Sequence, residues 1–387
     1  MIVKQQLAAV LYCATVSLLA GIVLTPLVRR LAIRLDFVDK PNRHKPSCRA
    51  VPLLGGLALY LATVGGYAVF EHVDLRSLWL IAGAGLLLVL GLVDDRFTVP
   101  ARLRMAIQFV GALGVVSAGV RFHWFAWEFA DYAISILWLM GVTNAINCMD
   151  CADGIAAGVG AITAAGYCAI ALLCGHWAVS LMAAALAGAC LSFLRYNYPP
   201  ASIFLGDAGS TVLGFLLGAL AIAATRGAPA FTQAWMAALP VAVPVWDIVV
   251  VHLRRRRVGV RGMRELLESN GHDHLPHRLG ERGLSARQTA AAVYMMSGVF
   301  AAAGVVVCRD GWGALLAAMG LTLLALVTGE MPFGALVARV SEFVRLRWES
   351  VRRGALPRRS PALGGQEAAP LAGQAAGGRP APSAGGQ

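Results

Sequence analysis

Apolar runs of about twenty residues recur from Leu7 to Leu326, with few charges inside any of them. Coiled as a helix, a run of that length matches the hydrocarbon thickness of a bilayer, roughly 30 Å. Soluble domains carry about 25% charged residues; here the charged share is 14% and the hydrophobic share 58%. Segments alternating polar with apolar residues, the mark of a transmembrane barrel, are absent. The expected fold class is therefore an all-α polytopic membrane protein. Eleven spans are read, near 7–28, 51–70, 78–93, 105–120, 132–149, 154–174, 177–194, 211–225, 234–253, 290–308 and 313–329. The first is followed by a basic cluster and has no small-residue cleavage site near its end, so it reads as a retained helix.

Eleven crossings put the chain ends on opposite sides. The connections on the side reached after the first span hold 28 of the 33 Lys and Arg residues. Basic loops are cytoplasmic loops, so the N-terminus is expected outside and the C-terminus inside, in a cytoplasmic (inner) membrane. The same asymmetry accounts for the net charge of +12 without a nucleic-acid partner. Residues 1–330 read as one multi-pass domain. In 331–353, Phe333, Leu336, Val337, Val340, Phe343 and Val344 recur at helical spacing among arginines, as in an amphipathic helix on the inner leaflet. Residues 354–387 are rich in Gly, Ala and Pro and are expected to be disordered.

The polar motifs all fall on the basic side of this map. Asp94-Asp95 follows the third span, and Asn144-x-x-Asn147-x-x-Asp150-x-x-Asp153-Gly154 joins the fifth to the sixth. Gly206-Asp207-x-Gly209-Ser210 opens the eighth, and His272-x-His274-x-x-His277-Arg278 lies in the long basic connection. Polar residues at membrane depth are functional candidates by default. Five carboxylates with Asn amide oxygens nearby are the hard donors that suit Mg²⁺, or Mn²⁺, with waters and substrate phosphates completing the shell. The plainer reading has these acids capping helix ends and pairing with Arg96, Arg102 and Arg104. A Gly-flanked loop entering a helix offers N–H groups to a phosphate, which makes Gly206, Gly209 and Ser210 candidate binding residues. Histidines followed by Arg suit an anionic group near pH 7. The basic, turn-rich stretch 36–56 suits a phosphate or a lipid headgroup, with leaflet anchoring as its simpler role. Cys148-x-x-Cys151 has no second pair or His at zinc spacing and reads as packing. A secondary transporter, which would also hold buried acids at helix breaks, is the alternative class; it predicts an internal repeat and a mid-bilayer site, and neither is visible in the chain.

Taken together and in order, with Pro244-x-x-Asp247 before the Arg run, these motifs resemble the bacterial polyprenyl-phosphate N-acetylhexosaminyl-1-phosphate transferases over about Asp39 to Ser285. That family also contains the phospho-MurNAc-pentapeptide transferase of peptidoglycan synthesis, the alternative activity. The chain departs from the family pattern at Cys151, where Gly is usual, and at Pro276, where a His is usual. The resemblance implies that undecaprenyl phosphate attacks a UDP-N-acetylhexosamine (UDP-GlcNAc in the nearest branch). UMP would leave, and a lipid-linked cell-surface polysaccharide of the O-antigen or lipopolysaccharide kind would be started. It implies Mg²⁺ on Asn147 and Asp207. Asp94 and Asp95 would orient or deprotonate the lipid phosphate, Asp150 and Asp153 would position nucleotide and metal, and His274, His277 and Arg278 would contact the sugar phosphate. Asn144 is carried as a substrate-binding candidate, and a homodimer is an admissible assembly. A topology reporter fused after Ser360 is expected to report a cytoplasmic location; a reading from the opposite side would overturn the orientation.

Overall fold

The computed structural model describes residues 2–39, 50–70, 74–257, 259, 273–310 and 320. The described chain forms α1 (Ile2–Arg34), strands β1 (Val38–Asp39) and β2 (Val51–Pro52), α2 (Gly55–Phe70), α3 (Leu75–Phe97), α4 (Ala101–Ser117) and α5 (Glu128–Met149). It continues through α6 (Ile155–Leu173), α7 (Trp177–Asn197), α8 (Gly206–Ala224), α9 (Ala230–Ala238), α10 (Ala242–Arg257), α11 (Leu275–Glu281) and α12 (Ala286–Asp310). Local chemistry sets several starts. Asp74 caps α3 by accepting from Ser77 N–H at 2.8 Å, and Pro100 precedes α4, where no N–H donor is needed.

Helix α8 is the axis of the bundle. Its residues are buried almost without break from Ala208 to Ile222, with α3 and α5 against it and α2, α6 and α7 around it. Helix α1 packs on α7 and α2, and α12 on α6. Leu7, Leu11, Leu19, Val23 and Leu27 of α1 stay exposed, as expected of a surface facing lipid. Hydroxyls inside the bundle bond back to their own helix: Thr63 to Leu59 O, Thr143 to Leu139 O and Thr211 to Asp207 O, at 2.7 to 2.8 Å. Such bonds satisfy polar groups where water is excluded.

Small residues let the backbones meet. A Cβ on Gly214 would lie 2.7 Å from Thr143 Cα, so the Gly214-x-x-x-Gly218 face seats α5 against α8. On the opposite side, a Cβ on Gly91 would lie 2.2 Å from Ala208 Cα, and one on Gly56 would lie 2.3 Å from Gly209 N. Helices α2 and α3 thus grip the first turn of α8. Strand pairing of Val38 with Pro52 and Asp39 with Val51 leads into this contact. Phe204 N bonds Pro52 O at 2.8 Å, Gly55 N bonds Phe204 O at 3.1 Å, and Gly56 N bonds Leu205 O at 3.0 Å.

The expected eleven spans resolve differently. Seven described helices are long and apolar enough to cross a membrane, and eight if α9 and α10 count as one span. The expected span 234–253 is this pair, bent by 82° around Leu239–Val241. Pro240 carries no N–H and interrupts the ladder there. Helix α2 is apolar but has 16 residues, shorter than any of the seven spanning helices, because residues 51–54 are committed to the strand and turn. Helix α4 has 17 residues and starts in the basic stretch Ala101–Arg104. The eleventh segment, 313–329, apart from Gly320, and the segments 331–353 and 354–387 lie outside the described residues, so the count of eleven is not reached among the described ones. Gly91→Ala should overpack the α3–α8 contact and cost about 1–3 kcal/mol. Gly141→Ala, where a Cβ meets nothing within 4 Å, should be neutral or slightly stabilising; melting of both variants in detergent checks the contrast.

Candidate active site

Helices α3, α5, α7 and α10 end, and α4, α6, α8 and α12 begin, at one end of the bundle, as their mutual bonds show. The polar motifs meet there. The first cluster is built on the start of α8. Gly206 has φ +74°, the left-handed region that favours glycine, and a Cβ on it would lie 2.6 Å from Asp95 Oδ2. With no side chain between them, Asp95 reaches the helix end. Its two oxygens accept from Asp207 N at 2.8 Å and Ala208 N at 3.2 Å. A carboxylate at a helix N-terminus stabilises by about 0.3–2 kcal/mol through the helix dipole. The amides read from sequence as a phosphate cradle are thus bonded by the chain's own carboxylate. Gly209 does not face a ligand either: it is buried against Gly56.

Asp94 turns the other way. One oxygen accepts from Val99 N at 2.6 Å and the other from Arg104 at 2.9 Å, which shapes the turn between α3 and α4. The plainer roles are therefore both realised, Arg pairing at Asp94 and helix-end capping at Asp95. Asn147, in the last turn of α5, donates to Asp207 Oδ1 and to Ser210 Oγ, each at 2.8 Å. Asp94, Asp95 and Asp207 lie within mutual electrostatic reach, with Arg104 beside them. Three carboxylates against one guanidinium leave excess negative charge in a half-buried place, which a cation would offset. Among the described residues no group of three or more His, Cys, Asp or Glu forms a metal cage.

The second cluster joins α10 to α11. Asp247, 1% exposed, accepts from His274 Nδ1 at 2.8 Å, Leu275 N at 2.7 Å and Arg278 Nη2 at 3.2 Å. Arg255 forks onto Asp273 through Nε and Nη2 at 2.9 and 2.8 Å. Burial works to raise the Asp273 carboxyl, but the Arg255 fork outweighs it and holds it below the usual carboxylate range. The stabilisation from that pair is present above the ordinary carboxylate value and is lost only as pH falls through the lowered one. His272, and the arginines between 260 and 272, lie outside the described residues.

The loop 150–154 runs between the clusters. Asp150 is the C-cap of α5. Asp153 Oδ2 accepts from Ala201 N at 2.9 Å. Gly154, at φ +78°, donates to Asn197 Oδ1 at 3.0 Å and accepts from Tyr294 at 2.7 Å. A cleft of about 350 Å³ opens here, lined by Asp153, Ile155, Pro276, His277, Leu284 and Thr289. Asp153 and His277, from motifs more than a hundred residues apart, therefore face one space. Burial pushes the Cys151 thiol above its ordinary value, with Asp247 and Asp150 nearby adding to it, so it stays a protonated packing group. Asn144 departs from its expected role: its amide donates to Gln108 Oε1 at 2.8 Å and Met140 O at 2.7 Å, tying α5 to α4.

Sequence reading gave Asp273 and Asn197 no place in the site, took Arg255 only as part of the Arg run, Arg104 only as a partner for the acids, and Asp247 only as part of the Pro244-x-x-Asp247 motif. Asp247 had a signal, an acid inside an apolar run a short step before four arginines; Asn197 had none. Asp247→Ala would remove the buried carboxylate that His274 and Arg278 share and should cost about 3–5 kcal/mol of folding stability. Asp247→Asn keeps an acceptor and should cost less; chemical unfolding of the two variants compares them.

Comparison with known proteins adds one family match and three relatives. Residues 77–225 match the family described as glycosyl transferase family 4. A decaprenyl-phosphate N-acetylglucosaminephosphotransferase of Mycobacterium tuberculosis (strain ATCC 25618 / H37Rv) is 32% identical over 338 residues, covering 74% of this chain and 80% of that protein. The probable undecaprenyl-phosphate N-acetylglucosaminyl 1-phosphate transferase of Bacillus subtilis (strain 168) is 29% identical over 312 residues, 78% of this chain and 86% of that protein. The undecaprenyl-phosphate alpha-N-acetylglucosaminyl 1-phosphate transferase of Escherichia coli (strain K12) is 25% identical over 293 residues, 72% and 78% of the two chains.

Proposed function

The chain belongs to glycosyl transferase family 4, a membrane enzyme that transfers a sugar phosphate to a polyprenyl phosphate, and from that premise we propose the donor, the ion and the orientation. The donor is UDP-N-acetylglucosamine, the acceptor undecaprenyl phosphate, and the products are UMP and a lipid-pyrophosphate sugar. The product starts a lipid-linked cell-surface polysaccharide. The N-acetylglucosamine in the names of all three relatives supports the sugar. The reaction takes place at the cytoplasmic face of the inner membrane, the side of the basic loops.

The observation that carries this reading is the Asp94–Asp95–Asn147–Asp207 cluster at the end of a lipid-facing bundle. One substrate is an anion from water and the other a lipid whose phosphate stays at the leaflet edge, so a site at the bundle end serves both. Asp207 and Asn147 would hold Mg²⁺, which would neutralise charge on the donor pyrophosphate and on departing UMP. Asp95 holds the α8 end rigid, so that Asp207 presents its carboxylate in a fixed place. An oxygen of the lipid phosphate forms the new P–O bond to the β-phosphorus of the donor, and the bond to the bridging oxygen breaks. A phosphate monoester, with second pKa near 6, is already mostly dianionic at pH 7, so no side chain need remove a proton. The cleft between Asp153 and His277 would take the donor, and Arg278, braced on Asp247, would face its phosphates. The surrounding arginines raise the local concentration of both anions.

The test uses membranes, undecaprenyl phosphate and a panel of radiolabelled UDP-sugars. Butanol-extractable label and equimolar UMP are expected from UDP-N-acetylglucosamine with Mg²⁺; label from a different sugar only, or none, would overturn the assignment. Asp207→Asn and Asn147→Ala should each lower the rate by more than about 10²-fold, as loss of a key electrostatic contact does, with melting unchanged. Full activity in either variant would sink the metal assignment.

A further inference from the structure

We propose that Cys174 and Cys308 are a disulfide site that fastens α12 to α6 at the bundle end remote from the carboxylate cluster. Their Sγ atoms lie 3.5 Å apart, in direct contact, and both residues are partly exposed. Cys174 follows the last residue of α6 and Cys308 lies in the last turn of α12. Helix α6 starts beside Gly154, at the site, and its 19 residues span about 28 Å at 1.5 Å each. The thiol pair is therefore a bilayer's thickness from the acids.

Close packing holds the thiols in register. Along the seam, Tyr294 sits over Gly158, Ala301 over Gly166, and Gly304 against Pro240 and Ile170. The near end is pinned by the bond from Tyr294 to Gly154 O at 2.7 Å. The other thiols differ: Cys13 donates to backbone carbonyls of Gly66 and Leu181, and Cys168 and Cys190 are buried within the bundle. Cys13 and Cys168, and Cys148 and Cys151, are close enough to influence each other's charge, but among the described residues the direct Sγ–Sγ contact is that of Cys174 with Cys308.

The compartment follows from the orientation proposed above. The face opposite the basic loops is extracytoplasmic, where thiols are oxidised. One thiolate of the pair attacks the disulfide of an extracytoplasmic carrier protein and forms a mixed disulfide. The second thiolate displaces the carrier, which departs as a dithiol with the two electrons and two protons the pair has lost. The new bond keeps α12, whose first turn lines the Asp153–His277 cleft, from tilting off α6.

The test quenches cells in N-ethylmaleimide, denatures and reduces the full-length chain, and alkylates it with a maleimide–polyethylene glycol. Two adducts are expected in the wild type and none in Cys174→Ser or Cys308→Ser. A wild type without reduction-dependent adducts, or adducts that persist in both variants, would overturn the pairing. Reductant should lower the melting temperature of the purified wild type by several degrees and leave Cys174→Ser unchanged; equal behaviour of the two proteins counts against the bond. A membrane-impermeant maleimide applied to intact cells of Cys174→Ser separates the premises. Labelling of Cys308 upholds the orientation whatever the pair does, and protection overturns the orientation together with the pairing.

Discussion

The amino end of α8 is a helix terminus held partly buried at the end of a bundle, where its free N–H groups need an acceptor from the chain. Asp95 solves this by accepting from Asp207 N and Ala208 N, and the approach needs Gly206 to lack a side chain. Gly56 and Gly91 bring α2 and α3 to contact distance of the same turn. The central helix is thereby fixed at the level where its own Asp207 meets Asn147 of α5. Stability and chemistry share these atoms. An acid that satisfies backbone donors also sets the position and the field of the neighbouring carboxylate.

Charge is distributed unequally around the α5 terminus. On one side Asp94, Asp95 and Asp207 outnumber Arg104. On the other, Asp247 serves His274 and Arg278 together, and Arg255 serves Asp273. The first side attracts a cation, and the second presents cationic groups on buried supports. Cys148 lies within reach of both, being influenced by Asp247, Arg255 and Asp207.

The bundle class was legible, because it depends on quantities additive along the chain: hydropathy and run length. So was the pairing of Asn147 with Asp207, which followed from a motif resemblance. The break at Pro240, the short α2 and the long α3 that takes Asp94 and Asp95 into its last turn were read as simple spans or loops. Hydropathy is averaged over windows and is blind to a bend or a helix extension within them. Asn144, a substrate-binding candidate by its place in the Asn144–Gly154 stretch, lies one helical turn before Asn147, and its amide bonds Gln108 of α4.

What the chain determined by itself was therefore composition-level and pairwise-local: an α-helical membrane protein, with acids, glycines and histidines at one face. Tertiary structure alone decided which of those groups meet. Asp95 and Asp207 are 112 residues apart, Asp153 and Ala201 are 48 apart, and Asp247 and His274 are 27 apart. A carboxylate bonds within about 3 Å, and whether it finds a backbone amide, a guanidinium or open space depends on how closely two helices approach. Here that approach is set by Gly56, Gly91 and Gly206, residues with no side-chain chemistry of their own, whose meaning appears only when the opposing backbone is in place.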